Sequence, residues 1–349
     1  MNYLISSYGY ISLILVFLIN IVILFTINKF FLLKNFFLDK VDSSPHKKYV
    51  KSGLVPISGG IAIMSSLIIF NYFDKISNLL FALSIFVIGM MSDLDKLKST
   101  NKRFLFQIFV LILFLLNNNY LLVNEIKISS IDLILGKYEI ISLIFTCFCI
   151  LILINGSNFI DGTNIQCSGY FFSILMILII LHFEKSINVD LSNILIIFLI
   201  LISFIIFNLF NKSFLGDGGT YLLSFLIGII LIKFYLSNNV SPYFIVTLLW
   251  YPAFENFFSI VRRLFFMKRN IDKPDNLHLH HMIYSKLNKK FKNKFIIKNG
   301  VGLLLSTYNF LIFFISKNFI YQSLIQVYLI LFSIILYISV YSIFVNKKL

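Results

Sequence analysis

Three carboxylates, a run of amides and a histidine cluster carry the chemistry in this sequence, and all stand where apolar runs end. Residues 155–164 read Asn-Gly-Ser-Asn-Phe-Ile-Asp-Gly-Thr-Asn, a polar island between the apolar runs 140–154 and 170–182. Asn155, Asn158 and Asp161 recur at i, i+3 and i+6, which puts them on roughly one side of a helix that continues the preceding run. Gly162 then suits the left-handed cap that would end it. No Lys or Arg stands nearby in sequence to pair Asp161. An ionisable group at such a membrane edge is a functional candidate, with a polar turn between two spanning helices as the alternative.

Four further clusters share that placement. Asp93 lies in Gly-Met-Met-Ser-Asp-Leu-Asp, ahead of Lys102, Arg103 and Gln107; it is nearer the membrane than Asp95, which reads as part of a solvated loop. Asp217 lies in Phe-Leu-Gly-Asp-Gly-Gly-Thr, preceded by Phe207-Asn208. Free backbone N–H groups and a positive helix end beside a hard carboxylate suit a phosphate held with Mg²⁺; a simple N-cap is the alternative. Gly59-Gly60, after Pro56, allow close backbone approach to either a neighbouring helix or a ligand. His278, His280 and His281 follow Asp275 and the Arg262-Arg263 pair. No Cys or Glu stands at the spacing of a zinc motif, so hydrogen bonding to phosphate oxygens is the better reading. Glu255, inside an apolar run, needs a polar partner there. Carboxylates, glycine-rich helix ends, cations and imidazoles gathered at one membrane face describe Mg²⁺-assisted phosphoryl chemistry, with the bilayer supplying one substrate as a lipid.

The elements that must position these groups are membrane helices. The 349 residues are 59% hydrophobic and 13% charged, with a mean hydropathy of +0.91. No soluble domain of this size has so little polar surface, so the fold class is an all-α polytopic membrane protein. Apolar runs at about 8–27, 57–73, 79–91, 104–116, 140–154, 170–182, 191–207, 221–236, 242–260, 300–315 and 324–345 predict about 11 transmembrane helices. Several are short of the roughly 20 residues a perpendicular span needs, so their ends extend into the polar motifs. Of the 30 Lys and Arg, 24 fall in the odd-numbered connections and the C-terminal tail, and six on the other side. This split predicts an outside N-terminus, a cytoplasmic C-terminus and a cytoplasmic site. It also accounts for the net charge of +15 without nucleic acid. The long outer connection 117–139 is expected to hold a short strand or hairpin, and the basic run 286–298 to lie on the anionic leaflet. Cys147, Cys149 and Cys167 have neither zinc nor disulfide spacing and read as small hydrophobes.

At these same residues the chain resembles the polyprenyl-phosphate N-acetylhexosamine-1-phosphate transferases, the WecA/MraY-like glycosyltransferase family 4, over nearly its whole length. The family's Pro-x-x-Gly-Gly is Pro56 to Gly60 here. Its Asp-Asp pair with a later Leu, Arg and Gln is Ser92-Asp93, Leu97, Arg103 and Gln107, so serine replaces the first carboxylate. Asn155, Asn158, Asp161, Gly162 and Asn164 match its amide–aspartate motif, and Phe207-Asn208 with Phe214 to Thr220 its Gly-Asp motif. His278, His280 and His281 match the His-x-His-His of the WecA-like branch.

The resemblance implies a single integral membrane transferase domain over 1–349, with connections 29–57, 92–103, 155–167, 208–217 and 261–300 forming the active-site face. It implies transfer of HexNAc-1-phosphate, GlcNAc-1-phosphate first among the candidates, from a UDP-N-acetylhexosamine to undecaprenyl phosphate with release of UMP. That step would begin a lipid-linked surface glycan at the bacterial cytoplasmic membrane. Asp217 would be the principal ligand of Mg²⁺ (or Mn²⁺), with Asn158 second. Asp93, Asp161, His280 and His281 would be catalytic. Asn155, Gly162, Asn164, Asn208, Gly216, Arg103, His278, Gly59 and Gly60 would bind substrate. A homodimer is open, and the rival readings are a flippase for a phosphorylated sugar lipid and a catalytically altered family member.

Overall fold

The computed structural model describes residues 2–39, 54–185, 187–266, 277–291 and 293–345, so Asp275 lies outside the described residues. Among the described residues thirteen α-helices follow in order: α1 (Asn2–Lys34), α2 (Gly59–Ile69), α3 (Ile76–Asp93), α4 (Thr100–Asn117), α5 (Ser129–Lys137), α6 (Glu139–Ile160), α7 (Gln166–Lys185), α8 (Leu191–Leu209), α9 (Gly216–Ser237), α10 (Pro242–Val261), α11 (Leu279–Lys290), α12 (Lys294–Ser316) and α13 (Ser323–Val345). Ten of them are long and apolar enough to cross a membrane. The eleventh apolar run, 57–73, gives only the 11-residue α2. At ~1.5 Å per residue α2 is about half a bilayer long. The chain turns away after it through Asn71, which takes a left-handed φ of 48°.

The connection 117–139 holds no strand. After a 3₁₀ turn at Asn119–Leu121 it forms α5, an amphipathic surface helix whose Asp132 accepts the Ile126 N–H at 2.6 Å. The strand pairing is elsewhere: Leu38–Asp39 (β1) runs antiparallel to Val55–Pro56 (β2), at the entrance to α2. Backbone groups outside helices need such partners in an apolar setting.

The most enclosed spanning helix is α9, and its small residues explain why. Lipid-facing helices gain nothing from apolar surface alone, so close packing over small side chains does the work. Gly60 of α2 meets the backbone of Gly219, and Gly89 of α3 meets that of Asp217 and Gly218. Of the two readings of Gly59-Gly60, close approach to a neighbouring helix is seen, since a Cβ on Gly59 would strike Phe204 and the Phe214 carbonyl; contact with a ligand is a separate matter. Helix α10 carries Pro252, which leaves the Leu248 carbonyl without its helical donor; the Tyr170 hydroxyl of α7 fills that position at 2.6 Å. The carbonyl side of Pro252 faces Gly156 of α6. These contacts fix the ends of α3, α6 and α9 side by side.

Candidate active site

The start of α9 is the centre of the site. Leu215 precedes it, and Gly216 takes φ +72°, a left-handed turn that suits glycine. The exposed N–H groups of the new helix are then available to an anion. Asp93, at the end of α3, takes two of them: Oδ1 accepts from Asp217 N at 2.9 Å and Oδ2 from Gly218 N at 3.0 Å. Asp93 thus caps α9 from a neighbouring helix, and both of its oxygens are engaged. Asp217 is not the N-cap; it sits in the first turn with its side chain 27% exposed.

Ser92 joins Asp217 to the first turn of α4. Its hydroxyl donates to Asp217 Oδ2 at 2.6 Å and accepts from Arg103 Nη1, which also reaches Asp217 Oδ2 at 3.1 Å. Where the family motif has a carboxylate, this chain has a neutral bridge between a cation and an anion. Asp95 is exposed in the following turn, in keeping with a solvated loop.

Helix α6 runs to Ile160 and presents its amides to the same place. Asp161 is its C-cap, and Asp161 Oδ2 lies 3.3 Å from the Thr220 hydroxyl of α9. The left-handed residue of this link is Ile165 at φ 68°, whereas Gly162 has no positive φ. Gly162 is required for a different reason: a Cβ there would overlap the His280 ring. Asn155 donates to Gln107 Oε1 at 3.0 Å, Asn164 to Asn211 Oδ1 and Asn299 Oδ1 at 2.8 Å each, and Asn208 accepts the Ile165 N–H at 2.6 Å. These three amides hold the walls of the site. Among the described residues Asn158 has no hydrogen-bond partner, so its amide is available to a ligand.

The histidines close the other side. Phe159 stacks on His278 at 5.3 Å, His278 on His280 at 5.7 Å, and His280 lies 4.1 Å from His281. Arg263 covers the Phe159 ring at 5.5 Å, and Arg262 donates to the Leu277 carbonyl at 2.9 Å, fixing the approach to His278. His280 is fully buried, and neither of its nitrogens has a partner among the described residues. A buried imidazole with two unsatisfied nitrogens is costly without a ligand. Glu255 has its polar partners in His278 and in Tyr337 of α13.

Lys298 escaped the sequence reading, which laid it on the leaflet with its basic run. Its Nζ sits 4.2 Å over the Phe214 ring, and its charge acts on Asp161. A cation at the start of a spanning helix was the available signal. A cavity of about 460 Å³, lined by Tyr72, Tyr120, Asn193 and Lys233, lies toward the opposite end of α9 and shares no residue with this site.

The carboxyl of Asp161 is pushed up to about 7, first by burial and then by the charge of Asp217. Burial, reinforced by His281 and His278, drives the His280 imidazole well below its ordinary range. The two act oppositely on stability. For Asp161 the contribution is fully present below 3.8, the ordinary value, and is lost as pH rises through about 7. For His280 the unfolded chain takes up a proton that the folded protein refuses, so stability is lost as pH falls below about 6.5. Melting curves in detergent with EDTA should therefore diverge: Asp161→Asn flattens the decline above pH 5, and His280→Gln flattens the decline on the acid side. Parallel curves for all three proteins would contradict these environments.

Two carboxylates, Asp217 and Asp161, beside an amide with no partner among the described residues are donors of the kind a hard divalent cation takes. Asp217, Asp161 and the Asn158 carbonyl are the oxygen donors at hand. Among the described residues no three His, Cys, Asp or Glu form a closed metal cage. Mg²⁺ keeps waters and takes one or two carboxylates, which these residues could supply, together with substrate phosphate.

Ten apolar helices among the described residues define a multi-pass membrane protein. Residues 75–235 match the family model described as Glycosyl transferase family 4. Over 258 residues it is 28% identical to the undecaprenyl-phosphate alpha-N-acetylglucosaminyl 1-phosphate transferase of Thermotoga maritima, covering 73% of this chain and 76% of that protein.

Proposed function

We propose that this protein transfers HexNAc-1-phosphate, with GlcNAc as the first candidate sugar, from a UDP-sugar to undecaprenyl phosphate and releases UMP. The observation that carries this reading is the convergence of Asp217, Asp161 and a ligand-free Asn158 with an unsatisfied His280 at one end of the bundle. The name of the Thermotoga relative supports the lipid and the sugar.

In this reaction an oxygen of the lipid phosphate forms a bond to the sugar-bearing phosphorus, and the bond from that phosphorus to the UMP oxygen breaks with its electron pair. The attacking oxygen is already substantially ionised at neutral pH, so orientation and charge neutralisation dominate over proton removal. Mg²⁺, held by Asp217 with Asn158 and Asp161 beside it, would neutralise phosphate charge when bound. Arg103 and Lys298 place positive charge at the two flanks of the carboxylate pair. His280 and His281 supply N–H donors to phosphate oxygens. Asp93 acts by holding the start of α9 in place. The Lys and Arg distribution supports a cytoplasmic placement of this end of the bundle, where UDP-sugars are made, with the N-terminus outside.

Ser92 sets how much charge the site presents. Ser92→Asp adds a carboxylate beside Asp217 and draws Arg103 away from it, so half-saturating Mg²⁺ should fall about tenfold. Ser92→Ala should leave it within about twofold, because the added negative charge is missing. A Mg²⁺ titration of turnover that is identical in both variants would contradict this role.

The group transferred is tested with UDP-GlcNAc labelled in its β-phosphate. Phosphosugar transfer carries the label into the butanol-soluble lipid and leaves UMP. A sugar transferase would leave the label in UDP, and a flippase would leave the donor intact.

A further inference from the structure

Glu255 is a fully buried carboxylate in the interior of a spanning helix. Both of its oxygens are used: Oε1 lies 2.9 Å from His278 Nδ1, and Oε2 accepts the Tyr337 hydroxyl at 2.7 Å. Tyr337 is itself 2% exposed and comes from α13, about 80 residues along the chain. Any buried carboxylate needs partners, so satisfaction alone would be unremarkable. What the geometry adds is direction. The tyrosine and the imidazole bind different oxygens, so the carboxylate cannot turn without releasing one of them. The His278 ring is stacked against Phe159, two residues from Asp161, and lies nearly parallel to His280 at 8°. Ring plane and ring rotation are therefore both fixed.

We propose that Glu255 and Tyr337 are positioning residues for the histidine cluster. An ionised carboxylate only accepts hydrogen bonds, so the proton between it and His278 sits on Nδ1. The partner of one imidazole nitrogen decides the chemistry of the other. Held by Tyr337, Glu255 thus sets the nitrogen that His278 turns toward the site, and it couples the last helix to the phosphate-binding end of the bundle. Placing the shared proton on Nδ1 is part of the proposal and is read by the spectrum below; its consequence for turnover rests on the transferase reading.

The test uses the full chain, purified in detergent with ¹⁵N-labelled histidine. Only five histidines are present, so His278→Gln identifies the signal of interest. The expected spectrum shows a protonated Nδ1 at His278 in the unsubstituted protein, lost or strongly shifted in Glu255→Gln and moved less in Tyr337→Phe. In UMP release, Glu255→Gln should lower kcat by about 10- to 100-fold with little change in KM for the UDP-sugar. Tyr337→Phe removes one hydroxyl and should fall between the two; it carries the comparison if Glu255→Gln fails to fold. An unprotonated Nδ1 in the unsubstituted protein, or a His278 signal indifferent to both variants, overturns the proposal. So does an unchanged kcat in both variants. The expected spectrum from a protein that releases no UMP would uphold the pair and remove the transferase reading.

Discussion

Asp217→Asn should lose UMP release by about 10³-fold or more while the protein stays folded and monodisperse. The side chain is partly exposed and lies in the first turn of α9, whose N–H groups are capped by Asp93 and not by Asp217. Replacing its charged oxygen with an amide therefore removes little from the fold. What it removes is the anionic donor facing Asp161, the group whose charge is felt strongly enough to raise a neighbouring carboxyl. The amide also breaks the contact with Arg103, releasing that cation. With Asp217 as the proposed metal ligand and not a screening charge, raising Mg²⁺ should not restore the rate. Turnover within tenfold of the unsubstituted protein, with an ordinary Mg²⁺ dependence, would show that the metal is held elsewhere.

Gly162→Ala, a change of one methyl group, should cost about 10²-fold in turnover. The new Cβ would overlap His280, and that ring has little freedom to retreat: it is fully buried, near parallel to His278 and 4.1 Å from His281. Either the histidine moves off its phosphate-binding position or the 161–165 link carries Asp161 away from α9. Both disturb the site, and overpacking of this kind destabilises by about 1–3 kcal/mol. Gly136→Ala is the matched control, because its Cβ would meet nothing within 4 Å. It should leave turnover unchanged and gain a few tenths of a kcal/mol from helix propensity, up to about 1 kcal/mol. Equal activity in the two variants would separate Gly162 and His280 from the chemistry.

The local parts of this architecture were legible in the chain. Asn155, Asn158 and Asp161 share a helix face because i, i+3 spacing is a property of one segment, and α6 ends where Asp161-Gly162 says it should. The apolar runs became helices for the same reason. The run 57–73 forms a helix of only 11 residues, because composition reports apolar length and not where a helix ends, and the chain turns at Asn71. In the 117–139 connection the expected strand is a short helix, Ser129–Lys137, of which only Leu135 is buried, so no period marks it in the sequence. What could not be read were contacts between distant segments. Asp93 as the cap of α9, Ser92 as the bridge between Arg103 and Asp217, Tyr337 against Glu255, and Lys298 over Phe214 each join residues more than 80 positions apart or on different helices. No periodicity records such pairs. Asn164 and Asn208, which the resemblance places at the substrate, also brace the link after α6 against α8 and α12.

The most direct measurement is UMP release by the purified protein in detergent with undecaprenyl phosphate and Mg²⁺, offering UDP-GlcNAc, UDP-GalNAc and a 6-deoxy UDP-HexNAc in turn. The account predicts release with one of these donors, UDP-GlcNAc first among them, abolished by EDTA and restored by Mg²⁺ or Mn²⁺. Folded protein that binds no UDP-sugar and releases no UMP with any of the three would contradict it.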